Sequence, residues 1–449
     1  MIHFFRKVWQ YLSKTDPVYL CLFLALGLVF FLIAASGYSF YFLEHYAIIP
    51  PMLFWGILLT RKHGAAAIRS LILGLAFSVW FVISQTLQFA AGLSVRSPGV
   101  FFLVYLLAFP FATVSGDRDR QTGLKMAGIA YIGGALVLAG LCGLLSLNMV
   151  PDFLKPHVYW DGPRLRAMWH PNVCGCVFMI AMAFCLYFLS CCQRKVHKLL
   201  WTAAAGGMFF MAILTNSRTA ILLCCCLAAG YLFFSLWNKS WKRFLLGTVS
   251  AVAVFAAIFL LYQGIFSIHT ANMTQQAITS KDSESISGTL KVDGDTGEVK
   301  LEAEAAQNSI LKDAGTLNSR TRIWKAAIKA ARSSNAVMLR GTDNSATLID
   351  QVHWAAVYTH NSFLEALLTM GIPGLLFAFV FALLAIWRII RVLFCANISM
   401  ATKSIALLMT ALLAAAILEA YLFQGNINFL YTDFVFCLCL GYLTPSKDR

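Results

Sequence analysis

Long apolar runs separated by short polar interruptions make up most of the chain, and their length is the first thing to interpret. A membrane-crossing helix needs about 20 mostly apolar residues. Runs of that size lie near 18–40, 44–60, 67–90, 98–115, 123–147, 171–192, 199–215, 220–237, 244–266, 362–387, 401–423 and 427–444. They predict an all-α polytopic membrane protein with about 12 transmembrane helices. Pro50 and Pro51 interrupt the second run and would kink a helix there. The opening run follows Asp16 and Pro17, is full span length and lacks a small-residue cleavage site, so it reads as a retained span and not a secretory signal.

One stretch breaks the rhythm for long. It divides the chain into a membrane domain at 1–266 (helices 1–9), a large loop at 267–359, and a second membrane domain at 360–449 (helices 10–12). The first half of the loop is acidic and rich in Ser and Gly. Apolar and polar residues alternate on both sides of a Gly-rich turn between Thr289 and Leu301, which predicts a β-hairpin. Asp293 and Asp295 have the look of a metal-binding pair, but a turn built from Asp and Gly accounts for them. In the second half, Trp324, Ala327, Ile328 and Ala331 share one helical face, and Lys325, Lys329 and Arg332 share another. That pattern predicts a basic amphipathic helix with its apolar face toward lipid or the spans.

Composition sharpens the picture. At 59% hydrophobic and 12% charged, against about 25% charged for soluble domains, the chain is no ordinary soluble enzyme. A net charge of +15 would suggest nucleic acid if the placement of the charges did not explain it. Of the 35 Lys and Arg, 20 fall in alternate loops and tails, among them Arg61, Lys62, Arg118, Arg194, Lys195, Arg388 and Lys403. The opposite short loops hold only five, and ten lie in the long segment. Cytoplasmic loops carry the excess of basic residues. Both termini are therefore expected in the cytoplasm, the large loop outside, and no nucleic acid is needed. The 13 Cys all lie in or beside apolar runs, as small membrane-core hydrophobes. Pairs such as Cys174 and Cys176 lack the second ligand pair of a zinc site, so no metal is expected.

The candidate chemistry gathers on the outer side. The first outer segment, 148–171, contains Arg164 and Arg166 and ends in Trp169, His170, Pro171 and Asn172, the proline suiting the first turn of the next helix. Arg218 sits in the tight connection between the seventh and eighth spans, close to apolar surroundings where a cation is costly. Arg320 precedes the amphipathic helix, with Arg322 two residues on. His360 and Asn361 stand at the mouth of the tenth span, where Ser362 and Glu365 have the spacing of a capping box. Two guanidiniums suit a diphosphate, and a histidine can take or lend a proton near neutral pH. Arg218, Arg320 and His360 thus form a candidate catalytic set for transfer from a lipid diphosphate. The bland alternatives are that Arg218 pairs with Glu419 or Asp433, Arg320 caps a loop, and His360 satisfies a carbonyl.

Four features together resemble the O-antigen ligase and polymerase superfamily of bacterial membrane glycosyltransferases. They are Pro171 with Asn172 after an arginine-containing loop; Ser217 with Arg218; Arg320 four residues before Trp324; and His360, Asn361, Leu364 and Glu365 leading to Gly371, Pro373 and Gly374. The resemblance implies a type-C glycosyltransferase-like fold in the bacterial inner membrane, with the large loop between helices 9 and 10. It implies an undecaprenyl diphosphate-linked glycan as donor and a glycan, lipid or protein hydroxyl as acceptor, with inversion and without metal or other cofactor. Arg218 and Arg320 would hold the diphosphate and His360 would lie at the reaction centre, as base or phosphate contact. Arg166, His170, Asn172, Arg322 and Asn361 are expected to line the substrate site. Polymerases often carry arginine and glycine eleven positions apart, a spacing found at Arg164 and Gly175. Ligase and polymerase remain open, and a transporter or flippase for lipid-linked glycans is the reading from another class.

Overall fold

The computed structural model describes residues 72–93, 117–146, 158–161, 164–167, 171–237, 241–250, 290–292, 299–301, 318–342, 359–395, 397–423 and 430–443, with scattered positions between 252 and 260. The helices are α1 (Ile72–Ala90), α2 (Asp117–Ser146), α3 (Pro171–Cys191), α4 (Lys195–Leu214), α5 (Arg218–Leu236) and α6 (241–250). They continue with α7 (Asn318–Ala331), α8 (Asn335–Arg340), α9 (Ser362–Phe394), α10 (Met400–Leu418) and α11 (Leu430–Tyr442). Among the described residues, seven helices (α1 to α5, α9 and α10) are long and apolar enough to cross a membrane. The chain is a polytopic membrane protein. The spans expected at 18–40, 44–60 and 98–115 lie outside the described residues, as does most of 244–266.

A helix suits this solvent because it satisfies its own backbone where no water can. The span of α3 is 89% buried, which makes it the central column. It packs against α2, α4, α5 and α10. Phe178, Phe184 and Tyr187 of α3 are fully buried, and the Phe184 ring meets Tyr131 of α2 with centroids 6.0 Å apart. By contrast, Leu376, Leu383 and Ile390 of α9 recur every seven residues and are exposed, forming an apolar stripe suited to lipid.

Two short antiparallel hairpins accompany the helices. The first pairs β1 (Val158–Asp161) with β2 (Arg164–Ala167), just before α3. The second pairs β3 (Leu290–Val292) with β4 (Val299–Leu301), Lys291 opposite Lys300.

Three expectations about the helices need correction. The face of α7 is rotated from the one the sequence suggested: Ile323, Ala327, Ala330 and Ala331 are buried with Leu368 of α9, while Ile328 is exposed. The apolar face meets α9, where small alanines let the two helices approach closely.

The expected span at 362–387 is broken near its start. Gly371 has φ +69°, and Pro373 has no N–H to offer the carbonyl of Thr369. Side chains of α1 supply what is missing. Thr369 O lies 2.7 Å from Gln88 Nε2, 3.0 Å from Gln85 Nε2 and 3.0 Å from Ser84 Oγ. Trp80 Nε1 donates to Met370 O at 2.8 Å. Ser84 and Gln88 also reach Arg340 O, at 2.6 and 2.8 Å, so the same stripe of α1 holds the end of α8. Gly371 lies directly against the Leu339 carbonyl, leaving no room for a Cβ.

The run expected to be helical to 423 stops at Leu418. Residues 419–423 are buried and non-helical. Ser362 Oγ donates to Glu419 O (3.1 Å) and accepts from Leu422 N (2.9 Å), and Asp433 Oδ1 accepts from Phe423 N (3.0 Å). Irregular backbone survives inside a membrane protein when side chains satisfy it in this way.

One end of the bundle therefore gathers the beginnings of α3, α5 and α9 and the ends of α4 and α10. Arg194, Lys195, Arg388 and Lys403 lie at the other end, where those helices run the opposite way.

Candidate functional site

Where α9 begins, Asn361 and not Ser362 is the cap, so the capping box expected from Ser362 and Glu365 does not form. Asn361 Oδ1 accepts from Phe363 N and Leu364 N, both at 3.0 Å, a pairing that satisfies two of the helix's first N–H groups. Asn361 Nδ2 donates to Ile417 O (3.0 Å), tying the start of α9 to the end of α10. Ser362 is thereby released to bridge the 419–423 break. Glu365 is fully buried and turns its Oε2 back to Thr359, 2.9 Å from the backbone N and 3.0 Å from Oγ1.

These contacts fix the residues on both sides of His360. Its own backbone is left-handed, with φ +52°, a conformation that a non-glycine residue keeps only when its surroundings enforce it. Trp324 Nε1 on α7 donates to Thr359 O at 3.1 Å. One turn earlier on the same face, Arg320 Nη2 lies 2.5 Å from Glu419 Oε1. His360 Nδ1 lies 2.7 Å from the other oxygen, Oε2. Asn172 Nδ2, in the first turn of α3, donates to Oε1 at 3.1 Å, and Tyr421 OH donates to the Asn172 carbonyl at 2.8 Å. Glu419 is only 1% exposed, whereas the Arg320 and His360 side chains are each 25% exposed. The centre is a buried carboxylate, and its cationic and imidazole partners reach the surface.

The structure thus brings together Asn172, Arg320 and the adjacent pair His360 and Asn361 from three parts of the sequence. Arg218 is not in this network. It is exposed at the first turn of α5, and among the described residues it pairs with neither Glu419 nor Asp433. Its neighbourhood is nonetheless the same end of the bundle: Gly175, one turn beyond Asn172, packs so closely on the α5 start that a Cβ there would lie 2.7 Å from Ser217 Cβ. That contact gives Gly175 a packing reason of its own, independent of its spacing from Arg164. Arg322 is exposed, and two residues along a helix put it about 200° around from Arg320. Arg166 lies on β2 opposite Tyr159, and His170 lies outside the described residues.

Glu419 is the residue whose role the sequence concealed. It stands among several polar residues of the last spans, all explicable as caps or interhelical hydrogen bonds. The available signal was a carboxylate inside an apolar run, which is costly and usually paired.

Chemically, the arrangement offers a guanidinium, an imidazole held by a carboxylate, and an amide, with a second guanidinium nearby at the same end. Arg320 gives one nitrogen to Glu419, and its five N–H donors allow it to take an anionic oxygen as well.

Residues 203–379 match the family model for O-antigen ligase. The matched stretch covers under half the chain and includes Arg218, Arg320, Trp324, His360 and Gly371, while Asn172 lies before it and Glu419 beyond it. No curated protein matches the chain. The family's stretch spans the basic and imidazole residues of the site, and the match supports the O-antigen ligase and polymerase superfamily.

Proposed function

We propose that the protein moves a glycan from undecaprenyl diphosphate to a hydroxyl acceptor on the extracytoplasmic side of the bacterial inner membrane, inverting the anomeric centre. The observation that carries this reading is the convergence of Arg320 and His360 on one buried carboxylate, at the end of the bundle opposite Arg194, Lys195, Arg388 and Lys403. Basic loops face the cytoplasm, so the opposite end faces outward, with the 267–359 segment above it and both termini inside. His360 lies at the reaction centre, as base or phosphate contact, and Arg320 and Arg218 offset charge developing on the departing diphosphate, where fixed donors in a water-poor site are most effective. Asn172 and Asn361 set the walls of the site, and Arg166 and His170 contribute further donor contacts, whereas Arg322 points away from Arg320 and is left out of the donor site.

A ligase offers a lipid core, cell-wall sugar or protein hydroxyl, and a polymerase offers the end of another lipid-linked repeat; we take ligase as the leading reading. A transporter would place its charged groups near midplane, accessible from both sides; a cluster at one end favours transfer.

The test is the size profile of lipid-linked and surface-attached glycan in the native host carrying His360→Ala at normal protein level. Accumulated single repeats identify a polymerase, and long lipid-linked chains left unattached identify a ligase. Both pools matching wild type would overturn the role given to His360.

A further inference from the structure

Glu419 is held by side chains from α7, α3 and the residue preceding the α9 cap, and the division of its two oxygens is informative. Arginine and carboxylate often pair through both oxygens in a fork. Here Oε1 receives both Arg320 and Asn172, and Oε2 is turned to His360 Nδ1 at 2.7 Å. A carboxylate 1% exposed needs such donors to compensate its lost hydration. The imidazole is also constrained through its backbone, because Trp324 and Glu365 hold Thr359 and the cap holds Asn361.

We propose that Glu419 is the positioning residue of the transfer reaction: it holds His360 as the Nδ1–H tautomer and so makes Nε2 the proton acceptor. This rests on the glycosyl transfer proposed above and decides between base and phosphate contact for His360. In the step, the acceptor hydroxyl oxygen forms its bond to the anomeric carbon as its proton passes to Nε2. The bond from that carbon to the diphosphate oxygen breaks, and its electron pair leaves with undecaprenyl diphosphate. The imidazolium formed stands beside the Glu419 carboxylate, which offsets its charge as in other carboxylate–histidine pairs. Because the same carboxylate holds Arg320, the base and one donor-binding group are set relative to each other by a single side chain.

The deciding variant is Glu419→Gln, which has nearly the same shape. Its amide NH2 donates to Nδ1, which forces the proton onto Nε2 and removes the base. The full chain in lipid nanodiscs, labelled with 15N-histidine and assigned by loss of signal in His360→Gln, reports the tautomer directly at about pH 8.5, above the ordinary histidine range. We expect Nδ1–H in wild type and Nε2–H in the variant. With an undecaprenyl diphosphate-linked glycan as donor, kcat of Glu419→Gln should fall on the order of 10³- to 10⁴-fold, the scale seen when a carboxylate–histidine tautomer is reversed. Donor KM should stay near wild type, whereas Arg320→Ala should raise it.

Nε2–H in wild type overturns the inference, as does a variant that keeps kcat. If Glu419→Gln does not accumulate, the wild-type tautomer alone decides. If wild type transfers no glycan, the proposed function fails, while the tautomer still rules on Glu419.

Discussion

Trp324 Nε1 donates to the carbonyl oxygen of Thr359 at 3.1 Å, so a residue in the large loop segment holds the backbone immediately before His360. Arg320, four residues earlier on the same face, holds Glu419, the carboxylate bonded to the imidazole. The helix α7 thereby clasps the site at two points one turn apart.

Trp324→Phe keeps the ring and loses the donor. One net hydrogen bond is worth about 0.5–1.5 kcal/mol, so the variant should accumulate normally and transfer glycan up to about tenfold more slowly. Initial rates in nanodiscs, with unfolding temperature as control, would check this; an unchanged rate would show that the contact does not set the His360 backbone.

Arg218 is exposed and outside the Glu419 network, so its replacement should leave that network intact. Arg218→Ala should raise donor KM about 10- to 100-fold, as expected for loss of a charged hydrogen bond of about 1.5–3 kcal/mol. Arg218→Lys should recover only part of this, because a point charge cannot replace the planar fork. Equal activity of both variants with wild type would remove Arg218 from the donor site.

The polar stripe of α1 makes a separate prediction about stability. Ser84→Ala with Gln88→Leu leaves Gln85 as the remaining α1 donor to Thr369 O, and Arg340 O loses both contacts from the stripe. Each buried carbonyl left unsatisfied costs about 1–3 kcal/mol. The double variant should show a clearly lower unfolding temperature in detergent than wild type, and no change would mean that other groups satisfy these carbonyls.

Gly371→Ala should be worse tolerated. Its φ of +69° suits glycine, and the Leu339 carbonyl occupies the place of a Cβ. The cost should exceed about 1 kcal/mol, read as lower yield and earlier thermal unfolding, whereas Ala at exposed Leu376 should change neither.

Much of this architecture could be read from residue pattern. The apolar runs gave the span positions of α1 to α5, α9 and α10, because a helix in lipid must be long and apolar to exist at all. The four-residue step from Arg320 to Trp324 put them on one face for the same reason that any helix repeats there. What escaped were the interruptions. The break at Gly371 and the early stop at Leu418 depend on donors arriving from far along the chain, such as Gln88 for Thr369 and Ser362 for Leu422. Glu419 escaped for the same reason. Its meaning lies in three partners 59, 99 and 247 residues away, and no local pattern carries a relation of that length.

The break in α9 has a mechanical consequence. The nine residues before Gly371 are fastened to α1, α8 and α10, whereas the longer remainder presents Leu376, Leu383 and Ile390 outward. The kink thus separates the part of α9 that carries the lipid-facing stripe from the part that follows the imidazole. The helix direction is thus reset at residues 371–373, so the lipid-facing stripe and the imidazole are carried by two differently anchored parts of one helix.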